Sequence, residues 1–213
     1  MSTAPRIHPT AIVEDGVDIG AGTSIWDNVH VRGPATIGRD CIIGEKTYVA
    51  YGVRIGNYVK VNAQAYLCTG VTLEDRVFVA AGVVFTNDRF PRAFADGHEG
   101  LAPSEPNEET LETIVRTGAT IGARAVIGPG LEIGAYAMVG MGAIVAADVP
   151  PHALVFGSPA RVRGWVCVCG TPLSRFGEAE PARAVEPRRC DRCGRGYDVG
   201  GVESAPRLLS EVA

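Results

Sequence analysis

The chain reads as an all-β protein, a parallel β-helix of short strands and tight corners, and three observations predict that fold. From Ala11 to Asp88 it divides into thirteen hexads, and the third residue of each, from Val13 and Ile19 through Leu73, Val79 and Phe85, is bulky and apolar without exception. The first residue of each hexad is Ala, Val, Thr or Cys, so it is small or β-branched throughout. The corners fall on Gly, Asp, Asn and similar residues, which tolerate the positive φ of tight turns. A strict six-residue period marks a β-helix in which each hexad is one strand plus one corner, and three hexads close a triangular coil.

Residues 1–10 lead into the first coil, with Pro9 tolerated at the start of a strand. After Thr86-Asn87-Asp88 the rhythm stops, and residues 88–112 form an inserted loop rich in Pro, Gly and Glu. A loop of that length inside a repeat is read as functional. The hexads resume at Val115, Ile121, Ile127, Ile133, Val139 and Val145, and Val115 lies five whole hexads beyond Phe85. Nineteen hexads predict about six coils. Pro150-Pro151 cannot continue a ladder and closes the prism. The β-helix domain is therefore placed at 1–166, a cysteine-bearing module at 167–200, and a short helix or frayed tail at 201–213.

The 213 residues suit one principal domain. Hydrophobic residues make up 46% of the chain and aromatics 7%, the balance expected of a narrow prism filled by stacked aliphatics. A net charge of −4 argues against non-specific nucleic-acid binding, so any anionic ligand must be held by local Arg or Lys. The first ten residues contain no apolar h-region and no run reaches membrane-spanning length. A soluble, cytoplasmic protein without membrane or nucleic-acid partners is expected. Cys41 and Cys68, isolated within the repeat, are read as packing residues.

With its interrupting loop and the closing strings Asp148-Val149-Pro150 and Gly157-Ser158-Pro159-Ala160-Arg161, the repeat resembles the hexapeptide-repeat acyltransferases. That resemblance implies a left-handed β-helix, an exception to the right-handed crossover rule, and a homotrimer with sites between subunits. The run Val84-Phe85-Thr86-Asn87-Asp88-Arg89-Phe90-Pro91-Arg92-Ala93 is similar to the sugar-nucleotide 3-N-acetyltransferases, which acetylate UDP- or dTDP-linked 3-amino sugars for surface polysaccharides. Agreement extends to Ile25-Trp26, Val29-His30-Val31, Gly118–Ala123 and Gly164-Trp165. Ala80-Ala81-Gly82 and Lys60–Ala65 depart from that subgroup's pattern, which bears on the identity of the sugar.

The resemblance implies that Asn87 positions the sugar and that the departing sulfur of CoA accepts the proton. His30, matching the family's Val-His-Val, is the candidate general base, since a neutral amine must attack a thioester and His titrates near neutrality. His98, in the loop, is a second candidate; His8 and His152 are read as lead-in and structural. Arg92, with Arg89 behind it, would meet a substrate phosphate or carboxylate through a forked pair of hydrogen bonds. Asp88 and Asn62 are the other candidate sugar contacts. On the acetyl-CoA side, Gly122 and Gly140 supply small wall residues for pantetheine, and Pro159, Ala160 and Arg161 match the family's closing motif near the 3′-phosphate. A backbone N–H at a coil edge would serve the oxyanion.

Cys167-x-Cys169-Gly170 and Cys190-x-x-Cys193-Gly194 form a quartet with the chemistry of a zinc ribbon. Four thiolates leave no open position, so the zinc would be structural; disulfides are the alternative. Two other functions share this prism: an O-acetyltransferase, which needs a His base, and a non-catalytic scaffold whose ribbon binds a partner. A γ-type carbonic anhydrase requires three zinc-binding histidines, which four scattered ones do not suggest.

Overall fold

Each of the nineteen hexads becomes one strand, from β2 (Ile12–Val13) to β20 (Ile144–Val145), in a computed structural model that describes residues 4–94, 100–103, 105–107, 110–175, 185–201 and 205–210. Parallel rungs stack the strands into three faces. A typical step is eighteen residues, as in Tyr48↔Tyr66 and Lys60↔Phe78. Two further rungs extend the first face: β1 (Arg6–Ile7) at one end and β21 (Ala153–Gly157) at the other. The solenoid therefore has eight, seven and six rungs on its three faces, about seven coils where the hexad count gives six. The sequence conceals the last rung because Leu154 pairs with Met138 only sixteen residues earlier, off the eighteen-residue step.

Why the pattern folds this way follows from which positions point inward. Both the first and third residues of a hexad face the axis; in one coil Val59, Val61, Ala65, Leu67, Val71 and Leu73 are all buried. Each fully buried aliphatic stabilises by about 1.5–3 kcal/mol, and the stack repeats that contribution along the axis. The backbone is satisfied from coil to coil, as where Tyr48 N–H donates to Ala65 O at 2.9 Å and Ala50 N–H to Leu67 O at 2.9 Å. The corner at the sixth hexad position is left-handed even at residues that do not favour it: Lys46 has φ 57°, Tyr58 58°, Gln64 59° and Arg76 60°. A bond into the preceding coil offsets that cost, such as Tyr58 N–H to Arg39 O at 2.9 Å.

The excursion after Asn87 leaves and rejoins at one point. Leu111 N–H donates to Asn87 O at 3.0 Å, and Leu73 then pairs with Val115 as if the intervening chain were absent. Within the excursion Phe94 forms an isolated antiparallel bridge with Leu101. His98 lies outside the described residues.

At the C-terminal end, β22 (Ala160–Val166) runs antiparallel to β21, and β23 (Pro172–Arg175) antiparallel to β22, so the first face continues past residue 166. A separate sheet joins β24 (Glu186–Arg189), β25 (Gly196–Val199) and β26 (Arg207–Ser210). The tail expected as a helix or frayed end thus contributes a strand, because β25 presents a free edge for it to pair with. Trp165 is fully buried, with its indole N–H 3.2 Å from the carbonyls of both Gly200 and Gly201. The His152 ring lies between Tyr136 (5.3 Å) and Tyr197 (5.9 Å). These contacts fasten the cysteine-bearing segment over the end of the prism. Among the described residues no helix is long and apolar enough to cross a membrane.

Candidate active site

Asn87 and Asp88 occupy the corner that follows the second face, at the rung of β14 (Val84–Phe85). Asn87 is half-buried, its backbone carbonyl is held by Leu111, and its amide side chain has no hydrogen-bond partner among the described residues. Asp88 is exposed, and its charge reaches both the Tyr66 hydroxyl and the Cys68 thiol. Burial pushes the Cys68 thiol up to about 12, which removes it as a nucleophile.

Below that corner the outward positions of the second face carry an aromatic ladder. Tyr66 and Tyr48 stack with ring centroids 5.3 Å apart and 7° between planes, and His30 meets Tyr48 edge-on at 5.5 Å. His30 Nε2 lies 2.9 Å from Glu14 Oε1, while the other Glu14 oxygen accepts from Gly33 N–H at 3.2 Å and Arg32 Nε at 3.4 Å. The bond to His30, then that to Gly33, holds the Glu14 carboxyl below its usual range. Arg32 lies over the Tyr51 ring at 5.3 Å, and the neighbouring Tyr48 hydroxyl and Glu14 carboxylate keep its guanidinium charged.

The sequence-derived candidates divide between two edges of this face. Asn87 and Asp88 follow it; Asn62, Gly122 and Gly140 precede it, at the corner after the first face. His30 shares the face with Asn87 but stands three rungs away, about 14 Å at the usual spacing of parallel strands. One amine cannot touch both. Arg92 and Arg161 are exposed and, among the described residues, each donates only to a carbonyl beside it, Pro91 O and Ala160 O, both at 2.9 Å. Gly122 is small for a reason internal to the solenoid: a Cβ there would lie 2.6 Å from Val139 O and 2.5 Å from Met141 N. At Gly140 a Cβ would meet Phe156 Cβ at 2.8 Å. Pro159 and Ala160 form the tip of the β21–β22 hairpin on the same edge. The Glu14–Arg32–Tyr51 network escaped sequence reasoning because its members are eighteen or more residues apart and join only across rungs.

The four cysteines converge at the second cluster. Their sulfurs all lie within 4.8 Å of one another, with Cys167–Cys193 at 3.4 Å and Cys169–Cys190 at 3.6 Å. All four are free thiols. A tetrahedron of sulfurs about 2.3 Å from zinc has edges near these separations, far beyond the S–S length of a disulfide. The Cys193 thiol is drawn down to about 6 by the Arg195 N–H, as a metal-ligating thiolate requires, while burial raises Cys167 to about 12. The Tyr197 hydroxyl, 3.1 Å from Cys167 Sγ, ties the quartet to the buried ring. The donor set fits zinc.

His152, its pKa lowered by burial, gives a pH signature. A depressed folded pKa means the unfolded chain takes up the proton first, so stability declines as pH falls below the ordinary value of 6.5 toward the folded value. Thermal melts are expected to show that decline in the wild type and a smaller one in His152→Gln. Identical slopes in the two proteins would contradict it.

Sequence comparison agrees with the rung pattern. The profile of the bacterial transferase hexapeptide (six repeats) matches residues 16–51, and that of the hexapeptide repeat of succinyl-transferase matches residues 62–87 and 114–147. Over these residues the chain carries the hexapeptide repeats of bacterial transferases. This hexapeptide-repeat chain is 41% identical over 85 residues to the dTDP-3-amino-3,6-dideoxy-alpha-D-galactopyranose 3-N-acetyltransferase of Aneurinibacillus thermoaerophilus, covering 40% of each chain. It is 39% identical over 61 residues to the acyl-[acyl-carrier-protein]–UDP-N-acetylglucosamine O-acyltransferase of Brucella ovis, covering 29% of this chain and 22% of that one. It spans less than half the length of these relatives. Among solved structures, the polySia-specific acetyltransferase NeuO has a similar fold, with TM-score 0.50, 20% identity and coverage of 83% of this chain and 82% of that one.

Proposed function

We propose that the protein transfers an acetyl group from acetyl-CoA to the amine of a nucleotide-linked 3-amino sugar, in the biosynthesis of a surface polysaccharide or glycoside. The observation that carries this reading is the half-buried amide of Asn87, without a partner among the described residues, at the one corner where the repeat opens into a long excursion. The 41% identity to a sugar-nucleotide 3-N-acetyltransferase supports the substrate class. In the reaction the amine nitrogen attacks the thioester carbonyl, the new C–N bond forms and the C–S bond breaks. The nitrogen's proton passes to the departing sulfur, giving the amide and free CoA. Asn87 holds the sugar, and Asp88 lies beside it for a sugar hydroxyl or the amine.

Acetyl-CoA would lie along the other edge of the second face, by Gly122, Gly140 and the Pro159–Arg161 hairpin, and reach the amine from a neighbouring subunit. Phe90, Leu101 and Met141 are 83%, 85% and 82% exposed, which a homotrimer would cover. Zinc held by Cys167, Cys169, Cys190 and Cys193 would order the ribbon and take no part in transfer. The cytoplasm, with its reduced thiols, suits these partners and the free cysteines.

A thiol-release assay with acetyl-CoA across UDP- and dTDP-linked 3-amino and 4-amino sugars tests the reading. Release with a 3-amino sugar is expected. CoA binding without release on any amino sugar would remove the substrate class, and no CoA binding would leave the scaffold reading in its place. His30, tied to Glu14, keeps the O-acetyltransferase alternative in view; release on a sugar lacking the amine, abolished in His30→Ala, would favour it.

A further inference from the structure

We infer that Arg32 is the anchor for the diphosphate of the nucleotide sugar, which fixes the direction in which the substrate lies: amine at Asn87, nucleotide toward the N-terminal rungs. The inference rests on the acetyltransferase reading above and adds an orientation and an anion-binding residue to it. Among the described residues neither Arg92 nor Arg161 has a side chain or ring to hold it in place; each folds back on a neighbouring carbonyl. Arg32 is held from two sides. Glu14 accepts from Nε at 3.4 Å, and the Tyr51 ring lies 5.3 Å from the guanidinium.

A guanidinium carries five N–H donors in a planar fork, so these contacts orient it without exhausting it. Its side chain is 42% exposed, which leaves the fork open to solvent. A fork held in one plane before binding loses less entropy on meeting a diphosphate than a free one.

Position along the face then sets the rest. Arg32 follows the rung of His30, three rungs from that of Asn87, so the two positions are about 14 Å apart along the axis. That offset matches the span from a 3-amino group across a pyranose ring to the nucleoside diphosphate beyond it. Between the two ends lies Tyr66, 43% exposed, where an apolar sugar face can rest against an aromatic edge. One rung nearer the loop the outward residue shrinks to Val84, which leaves room above Tyr66 beside Asp88. The track thus runs from a carboxylate and an amide, past an aromatic, to a cation, in the same sequence as the groups of an amino-sugar nucleotide.

Calorimetric titration of the full chain with dTDP and with UDP, at saturating acetyl-CoA so that the CoA site is filled, is the direct test. Wild type is expected to bind at least one of the two. Arg32→Lys keeps the charge but loses the fork, and is expected to bind about tenfold more weakly; Arg32→Ala should lose more. In turnover the same variants raise KM for the nucleotide sugar by a similar factor, with kcat and KM for acetyl-CoA little changed. Equal nucleotide affinity in Arg32→Lys and wild type, both with unaltered thermal midpoints, would overturn the assignment. If wild type binds neither nucleotide yet still releases CoA on an amino sugar, the anchor falls and the acetyltransferase stands. If it does neither, the substrate class falls with it.

Discussion

Replacing Asn87 by Ala is expected to lower kcat/KM for the amino-sugar nucleotide by about a hundredfold or more, while acetyl-CoA binding stays at the wild-type level. A misplacement of about 1 Å at a reacting centre costs that much, equivalent to about 2.7 kcal/mol of transition-state stabilisation. The substitution is a clean one. Asn87 contributes to the fold through its backbone carbonyl, which accepts from Leu111 at 3.0 Å and survives in alanine. Its side chain bonds nothing among the described residues, so the thermal midpoint should hold. Steady-state kinetics with both substrates varied, beside a melt, decides the matter. A change in kcat/KM of less than about threefold would make Asn87 a corner residue and nothing more.

Removal of zinc, or Cys190→Ser, is expected to act on stability instead. The quartet joins the turn after β22 to the turn after β24, and its release would free the contacts of Trp165 with Gly200 and Gly201. Loss of a structural metal belongs among the large single-site effects, and about 3 kcal/mol would lower the midpoint of a chain this size by roughly 6–12 °C. The chain offers its own reporter. Of its two tryptophans, Trp26 is 41% exposed and Trp165 fully buried, so a red shift on chelation reports the C-terminal end. Metal analysis of wild type and variant completes the test. A wild-type protein free of zinc, with an unshifted spectrum on chelation, would count against the metal.

How much of this was legible beforehand depends on whether the signal is periodic. Val13 to Phe85 and Val115 to Val145 announced their strands because inward residues recur every six positions. Ala153–Gly157 did not, since it joins the ladder two residues early and hydrogen-bonds through its backbone alone. The left-handed corners at Lys46, Tyr58 and Arg76 were equally hidden, because the coil imposes a conformation those residues would not choose. At the site, Asn87 and Asp88 stood out by ending the rhythm. Arg32 did not, for it gains its meaning only from Glu14 one coil below and Tyr48 and Tyr51 one coil above. Gly122 and Gly140 show the converse. Both looked like a groove, and the neighbouring rung alone accounts for their size.

The single backbone bond between Leu111 and Asn87 carries a consequence for how such a protein can change. It pins the two ends of the excursion together, and the rungs on either side pair as though the residues between were not there. Closing a longer loop adds a cost that grows only with the logarithm of its length. Selection can therefore lengthen, shorten or rewrite the excursion while the load-carrying column keeps its register. An insertion within a hexad has no such freedom, since one extra residue would turn an inward row outward along the rest of its coil. Excursion and column are thus inherited as separable parts, joined at one corner.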